Sequence, residues 1–290
     1  DEGNDIAPSA DFMEVSQALY QWLITPLQEK LDANRIHTLI IMPAASLRIL
    51  PFAALHNGKQ YLIERYALSI SPGLRLNSLP AENDERGAIL LGGLAQAIGE
   101  MNALPCVQQE LVRLQTLYSG QNVLLLDDGF TQTALETAIN QNDFSVVHLA
   151  SHGRFSNNAG ESFLQTRNGK LFINQLERLL QRSRFGDRIG IDLLTLSACE
   201  TAISDEKSAL GMAGIALQAG VRSALASLWR VDDAATTALM VEFYSRLRQQ
   251  GVTKAQALQG AQRALLQDKN FSAYRHPYHW AGFVLTGQWQ

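Results

Sequence analysis

The sequence has few of the residues that metal, disulfide or nucleotide chemistry requires. It contains only two cysteines in 290 residues, Cys106 and Cys199, which is too few for a disulfide framework. The patterns CxxC, HExxH and GxxxxGK[ST] are also absent, so neither a zinc site nor a P-loop is predicted. We expect reduced thiols, a cytoplasmic protein, and neither a metal nor a cofactor.

Charge and hydropathy argue against two further classes of protein. The formal net charge is −4, whereas proteins that bind nucleic acid through its backbone usually carry a basic surplus. No apolar run approaches the roughly 18 residues that a membrane-spanning helix needs. The chain begins at Asp1 without a secretory signal pattern, and we therefore expect it to be a fragment that normally has an N-terminal neighbour.

The first part of the chain predicts a helix followed by short strands. Residues 11–33 have apolar side chains at helical spacing, and Pro26 should kink or split that helix. The apolar run 38–43 is typical of a buried strand. Residues 47–73 resemble short strands joined by turns, with Asn57-Gly58 as a hairpin turn.

A polar segment, residues 79–86, is the best candidate for a domain boundary, and the pattern changes after it. We therefore divide the chain into an N-terminal region, 1–85, and a second region, 86–290. Strands and helices alternate regularly in the second region, which predicts a parallel sheet covered by helices on both faces. The predicted strands are 88–91, 123–126, 146–150, 193–196, 223–228 and 280–285. The predicted helices are 106–118, 131–140, 173–182, 209–219, 234–249 and 253–267.

Two of these strands end in residues suited to catalysis. One reads VVHLASHG and ends at His152 and Gly153, and the other reads IDLLTLSACET and carries Cys199. Consecutive parallel strands joined by one crossover helix usually lie side by side. The sites of such sheets lie at the carboxyl ends of the strands. We therefore expect His152 and Cys199 to be neighbours.

A thiol beside an imidazole can act as a nucleophile, because the imidazole accepts the thiol proton. The backbone N–H groups of Gly153 and Cys199 could form an oxyanion hole, since glycine permits close approach of the backbone. Peptide hydrolysis is the simplest reaction for these groups. A lone cysteine at a strand end is more often a small apolar residue, and the two adjacent strand ends together favour the catalytic interpretation.

We predict structural roles for three further histidines. His148 lies inside an apolar run and is expected in the core or behind the site. Its spacing to His152 suits paired metal ligands on a helix, not on a strand. His276 and His279 lie in an aromatic stretch and are interpreted as packing residues. A metal hydrolase would therefore lack ligands.

Four segments carry a resemblance to a known family. They read VVHLASHG, LLTLSACETA, GMAGIALQAGVRSALASLWRVDD and HPYHWAGFVLTG. The chain is similar in them to the CHAT family of caspase-like peptidases, in the clan of caspases, separases and legumains. His152 and Cys199 are 47 residues apart, close to the spacing of roughly 50 in caspases. LPFAALHNGKQYLIERYALSISPG extends the resemblance upstream, so it covers nearly the whole chain.

The resemblance implies a caspase-like α/β/α sandwich with a mostly parallel six-stranded sheet, preceded by a smaller N-terminal α/β region. It implies a bacterial cysteine endopeptidase with His152 and Cys199 as its catalytic dyad. The substrate would be a protein or peptide. A tetratricopeptide-repeat (TPR) region is the expected regulatory partner at the N-terminal side, and neither nucleic acid nor membrane is expected to bind directly.

Some members of the clan are arginine-specific and line their pocket with acids, which implicates Glu200, Asp232 and Asp233. An arginine side chain in a pocket needs a carboxylate partner. Asp232 or Asp233 could instead cap the helix that starts near residue 234. Glu200 could equally be a surface carboxylate.

The segment Ser227–Trp229 is expected to offer backbone to an extended substrate, with Trp229 as a wall of the cleft. Two departures from the family pattern bear on substrate choice. Arg230 stands where many members have proline, and FLQTRNGKL stands where an Asp-Gly turn is common. A latent interaction module that keeps the fold as a scaffold remains the alternative to an active peptidase.

Overall fold

The computed structural model describes residues 8–44, 47–71, 73, 88–118, 122–154, 161–182, 190–197, 217 and 219–290. Within these ranges no helix combines the length and the apolar character needed to cross a membrane.

The described residues form eleven strands. They are β1 (Thr38–Ile41), β2 (Ala67–Ile70), β3 (Ala88–Gly93), β4 (Asn122–Leu126), β5 (Phe144–Ala150), β6 (Gly153–Arg154), β7 (Phe163–Thr166), β8 (Gly169–Phe172), β9 (Leu193–Leu196), β10 (Ser223–Ser227) and β11 (Phe283–Gly287). Eight of them form one sheet in the order β1-β2-β11-β10-β9-β5-β3-β4, and β6, β7 and β8 form a small antiparallel sheet.

The large sheet is mostly parallel. The pair β10–β11 is antiparallel, and every other neighbouring pair is parallel. The prediction that β5 and β9 lie side by side is confirmed, with His148 opposite Thr195. Six strands come from the predicted second region, and β1 and β2 extend the same sheet beyond β11. The division of the chain at residue 86 stays a prediction.

Eight α-helices accompany the strands in the described ranges. They are α1 (Ala10–Leu23), α2 (Gln28–Ala33), α3 (Leu62–Arg65), α4 (Pro105–Leu117), α5 (Gln132–Gln141), α6 (Ile173–Arg182), α7 (Asp233–Leu247) and α8 (Lys254–Gln267). Short 3-10 segments occupy Thr25–Leu27, Phe52–Ala54, Asp127–Gly129, Lys269–Tyr274 and Pro277–His279. The predicted helix over 209–219 lies almost entirely outside the described residues.

Side chains that alternate along the strands pack into two apolar cores, one on each face of the sheet. On β5, for example, Val146 belongs to the core under α1, α4, α7 and α8, and Val147 belongs to the core under α5 and α6. This period of two is what a sheet covered on both faces requires. The α/β/α arrangement predicted from the sequence is therefore confirmed.

The N-terminal region differs from its prediction in one segment. Residues 47–73 contain one strand, β2, where several short strands were predicted, and Leu62–Arg65 is helical. The Glu64 carboxylate accepts a hydrogen bond from the Tyr61 backbone N–H at 2.6 Å, which caps this short helix. The cap is a local side-chain contact that an apolar pattern does not reveal. Pro26 separates α1 from α2, as predicted.

Candidate active site

The carboxyl ends of β5 and β9 lie beside each other at one edge of the sheet. The backbone N–H of Ser197 donates to the carbonyl of Leu149 at 2.9 Å, one step beyond the last paired residues of the two strands. Cys199, the predicted nucleophile, follows Ser197 by two residues. Cys199 and Glu200 themselves lie outside the described residues, and their roles stay predictions.

His152 follows β5 directly and is held in one orientation. Its side chain is largely buried, and its Nε2 lies 2.7 Å from the backbone carbonyl oxygen of Asn102. A carbonyl can only accept a hydrogen bond, so Nε2 carries the hydrogen. In the neutral ring Nδ1 then has the free lone pair and can accept a proton.

Gly153, the predicted oxyanion-hole residue, begins β6 and pairs with Leu164 of β7. The Gln165 N–H donates to the His152 carbonyl at 2.7 Å. This bond joins His152 and Gln165, the two residues next to the Gly153–Leu164 pair. Gly153 and Leu164 therefore form a non-hydrogen-bonded pair of the antiparallel ladder. The Gly153 N–H therefore points away from β7, and it is not used in that ladder.

His148 lies on β5, four residues before His152, and is completely buried. Its Nδ1 lies 3.2 Å from the Tyr244 hydroxyl, which donates to Thr195 Oγ1 at 2.7 Å. Its Nε2 faces the carboxylate of Glu110. His148 is thus part of a buried polar cluster behind the strand ends, in agreement with the prediction that it lies in the core or behind the site.

The two predicted pocket aspartates are both engaged with helix N-termini. Asp232 caps α7, because its Oδ1 accepts hydrogen bonds from the N–H groups of Ala234 and Ala235 at 3.0 Å each. Asp233 Oδ2 accepts from the backbone N–H of Cys106 in the first turn of α4 at 3.0 Å. The capping alternative is therefore realised for Asp232, and a role of either residue in substrate binding stays a prediction.

Asp233 also sets the chemistry of the second cysteine. Burial raises the pKa of the Cys106 thiol, and the neighbouring Asp233 carboxylate raises it further. Burial likewise raises the pKa of Asp233, against the hydrogen bonds from Cys106, which lower it. Since the thiolate is the reactive form, Cys106 is a poor nucleophile.

Ser227 and Trp229 lie at the carboxyl end of β10, which is an interior strand. The Leu228 N–H donates to the Gly282 carbonyl at 2.8 Å, and the pairing of β10 with β9 ends at Ala226. The Trp229 ring stacks on the half-exposed Tyr278 ring, and its Nε1 donates to the Tyr278 carbonyl at 2.9 Å. The two rings form an aromatic wall beside this strand end, and binding of substrate backbone there stays a prediction.

His276 and His279 have local packing contacts. His276 Nδ1 accepts from the Tyr278 N–H at 3.1 Å, and the His279 ring meets those of Tyr274 and Tyr278. Burial lowers the pKa of both imidazoles. In the ranges the structure covers, no three His, Cys, Asp or Glu side chains come together as metal ligands would.

The alkaline stability of the chain should depend on Tyr118, whose ring lies between Arg248 and Tyr244. Burial raises the pKa of Tyr118, Arg248 lowers it and Asp192 raises it, with a net rise. The unfolded chain then loses this proton near pH 10 while the folded chain keeps it, so stability is lost as the pH rises above about 10.

We expect Tyr118→Phe to make the free energy of unfolding fall less steeply between about pH 10 and pH 11. Urea titrations of both proteins across this range would measure the difference. Burial lowers the pKa of Lys254, so this residue makes the free energy of unfolding rise with pH. The contribution is the same in wild type and variant, and it cancels when the two are compared. Parallel stability curves would contradict this assignment.

Sequence reasoning missed two residues that contact these histidines, namely Asn102, which contacts His152, and Glu110, which contacts His148. Asn102 acts through its backbone carbonyl, which no side-chain pattern reveals. Glu110 did leave a signal, because it lies among Val107, Leu111 and Leu114 on the buried face of α4. A carboxylate on the apolar face of a helix is unusual enough to mark a buried polar partner.

Comparisons with known proteins agree with this arrangement. The family model of the CHAT domain matches residues 13–288. Tetratricopeptide repeat protein 28 from Mus musculus is 25% identical over 328 residues, and the Homo sapiens protein of that name is 24% identical over 327. Each alignment covers 93% of this chain, but the chain spans only 13% of the length of these relatives.

Two solved structures share the fold at low sequence identity. The Arg-specific cysteine proteinase gingipain R (RgpB) superposes with a TM-score of 0.57 at 12% identity, over 99% of this chain and 69% of that one. Separase in the Saccharomyces cerevisiae separase–securin complex gives 0.56 at 14% identity, over 93% and 17%. The fold is therefore that of caspase-like cysteine peptidases, and because the family model covers nearly the entire sequence, this chain belongs to the CHAT domain family.

Proposed function

We propose that this chain is a cysteine endopeptidase that hydrolyses peptide bonds through His152 and Cys199. The observation that best supports this proposal is the orientation of the His152 ring. Asn102 binds Nε2 at 2.7 Å, which leaves Nδ1 as the proton acceptor at the end of the strand beside β9. The chain that leaves β9 carries Cys199 two residues after Ser197.

In the first half of the reaction, Nδ1 of His152 accepts the thiol proton of Cys199. The thiolate attacks the carbonyl carbon of the scissile peptide, and a C–S bond forms as the carbonyl oxygen becomes an oxyanion. The N–H groups of Gly153 and Cys199 would stabilise that oxygen. The imidazolium then donates its proton to the leaving amine as the C–N bond breaks.

In the second half, a water molecule cleaves the thioester. His152 accepts one proton of the water, the hydroxide oxygen attacks the thioester carbonyl, and the C–S bond breaks. The imidazolium returns its proton to the departing sulfur, so the products are the carboxylic acid and the regenerated thiol. The Asn102 carbonyl contributes throughout, because it stabilises the charged ring and keeps a hydrogen on Nε2, so that Nδ1 is the nitrogen that accepts and returns the proton.

Replacing His152 by alanine tests this role. Without its proton acceptor, the chain should lose about 10²-fold to 10⁴-fold in kcat/KM for peptide hydrolysis. The assay should use a panel of fluorogenic peptides that differ in the residue before the scissile bond, so that an unexpected preference does not hide the activity. The exposed His37 provides the control His37→Ala. Equal kcat/KM values for wild type and His152→Ala would refute the proposal.

The same panel addresses the choice of substrate. We propose that cleavage follows a basic residue, with Glu200 as the leading carboxylate, since Asp232 and Asp233 already accept backbone hydrogen bonds. The aromatic wall of Trp229 and Tyr278 supports an extended peptide bound beside Ser227. The structurally similar gingipain R is named Arg-specific, in line with this preference.

We further propose that a TPR-type region gates this activity in a bacterial, cytoplasmic protein. The support for the repeats is that the curated relatives are named for them and that this chain covers only 13% of the length of those relatives. The bacterial origin is implied by the resemblance of the sequence to the CHAT family alone. The alternative is a latent interaction module. Alkylation of Cys199 by iodoacetamide, located by mass spectrometry, separates the two. Labelling only in a longer chain with the repeats supports gating, and failure to label in both supports a scaffold.

A further inference from the structure

One buried carboxylate connects the two strands that lead to His152 and Cys199. Glu110 of α4 is almost completely buried. Its Oε1 accepts a hydrogen bond from Ser197 Oγ at 2.7 Å, and the same oxygen lies 2.7 Å from Nε2 of His148. Its Oε2 accepts from Thr237 Oγ1 at 3.2 Å. This side chain therefore contacts β5, the end of β9 and α7 together.

The contact with Ser197 lies where the backbone ladder between β5 and β9 ends. The Ser197 N–H donates to Leu149 at 2.9 Å, and this is the last bond from β9 to β5 among the residues the structure describes. The backbone of Ser197 is thus bound to β5 while its hydroxyl is bound to α4. Whatever fixes Ser197 also fixes the point from which the chain continues to Cys199.

The same helix and the loop before it also fix the histidine. The Asn102 carbonyl that binds His152 lies three residues before α4 begins at Pro105. Asp233 binds the Cys106 N–H in the first turn of the helix. The two strand ends are therefore contacted by two parts of one segment, the loop before α4 through Asn102 on the His152 side and α4 through Glu110 on the Ser197 side.

Stability alone does not account for a carboxylate in this place. Taking a carboxylate out of water is costly unless hydrogen bonds and a partner charge compensate for it. The His148 contact lies off the direction of the ring N–H, so compensation by that residue is incomplete. A well-packed apolar residue at such a position is often neutral or stabilising. The contacts of this carboxylate with the end of β9 and with β5 therefore point to a role in the site.

We propose that Glu110 is a positioning residue, which bridges Ser197 and His148 and so sets the end of β9 against β5. This inference rests on the proposed peptidase function, because its consequence is the placement of the Cys199 thiol relative to His152. Glu110 itself takes no part in bond making. Misplacement of reacting groups by about 1 Å can lower the rate about 100-fold, which is the scale of effect that such a bridge controls.

The test is Glu110→Gln, which keeps the shape of the side chain and removes its charge. We expect kcat to fall about 10-fold to 100-fold while KM stays within about twofold, since the peptide-binding surface is not altered. Ser197→Ala removes the hydroxyl that donates to Glu110, and this variant replaces Glu110→Gln as the test if Glu110→Gln does not fold. The double variant should lose no more than the worse single variant, because Glu110→Gln leaves only a neutral acceptor for Ser197 and Ser197→Ala removes the donor, so both changes act on the same contact.

A matched control exists at the opposite end of β9. Asp192 immediately precedes that strand and contacts the buried Lys254 Nζ with both oxygens at 2.8 Å. Asp192→Asn is the same carboxylate-to-amide change at a half-buried carboxylate that pairs with a buried lysine. It should lower the melting temperature and leave kcat within about twofold of wild type, because it is remote from the strand end.

These measurements distinguish failure of the positioning role from failure of the proposed peptidase function. If wild type hydrolyses the peptide panel and both Glu110→Gln and Ser197→Ala keep kcat within about twofold, the positioning role is wrong. An equal loss in Asp192→Asn, or losses that multiply in the double variant, also overturns it. If wild type is no faster than Cys199→Ala, the proposed function itself fails, and this inference fails with it.

Discussion

Replacing Cys199 by alanine should abolish peptide hydrolysis, with a loss in kcat of about 10⁶-fold if the residue is the nucleophile. No other group in the proposed mechanism can form the covalent intermediate, since His152 acts only as acid and base. The remaining turnover would come from substrate binding and the oxyanion donors alone. Steady-state hydrolysis of the fluorogenic panel, with active-site titration of wild type, measures the effect.

The chain provides its own matched control for this experiment. Cys106→Ala is the same substitution at the other thiol, whose pKa is raised by burial and by Asp233. It should leave kcat unchanged, because that thiol is rarely ionised. Loss of activity in Cys106→Ala with retention in Cys199→Ala would reverse the assignment. Retention in both would exclude a cysteine nucleophile.

Replacing Trp280 by alanine should lower the free energy of unfolding by about 3 to 5 kcal/mol. Trp280 is completely buried, its Nε1 donates to the Arg275 carbonyl at 3.0 Å, and its ring meets Tyr61 edge-on at 5.3 Å. Its removal would leave a large cavity in the core that N-terminal and C-terminal residues share. Guanidinium unfolding followed by circular dichroism measures this loss.

Trp22→Ala is the control for that measurement. Trp22 is 72% exposed on α1, so its loss should change the free energy of unfolding by no more than about 0.5 kcal/mol. Because Tyr61 and Trp280 belong to one core, we also expect a single transition in both variants. A Trp280→Ala protein with two transitions, only one of them shifted, would show that residues 1–85 and 86–290 unfold independently.

Most of the parallel sheet was predictable, because its strands are continuous apolar runs separated by helices of regular period. Ile173–Arg182 and Leu193–Leu196 begin and end where the sequence predicts. The last strand was predicted at 280–285 and forms at Phe283–Gly287. Trp280 and Ala281 are buried in the core before the strand begins, and burial alone does not distinguish a strand residue from the loop residues beside it.

The candidate site was predictable only in part. His152 and Gly153 could be singled out, because residue types suited to acyl transfer interrupt an apolar strand. The joining of β1 and β2 to the same sheet could not be predicted, because β2 pairs with β11 through residues more than 200 positions apart. Pairing over such a distance depends on how the elements pack, and no local pattern records it.

By itself, the sequence determined which strands carry the candidate catalytic residues, since apolar period and residue type are local properties. Only the tertiary structure decided what holds those strand ends. The Asn102 carbonyl on His152 and the Glu110 carboxylate on Ser197 are contacts between elements 50 and 87 positions apart. They exist because α4 packs against β3, β4 and α7, which brings Glu110 and the loop before the helix to the two strand ends, and hydrogen bonding at that distance follows from packing and not from the neighbouring residues in the chain.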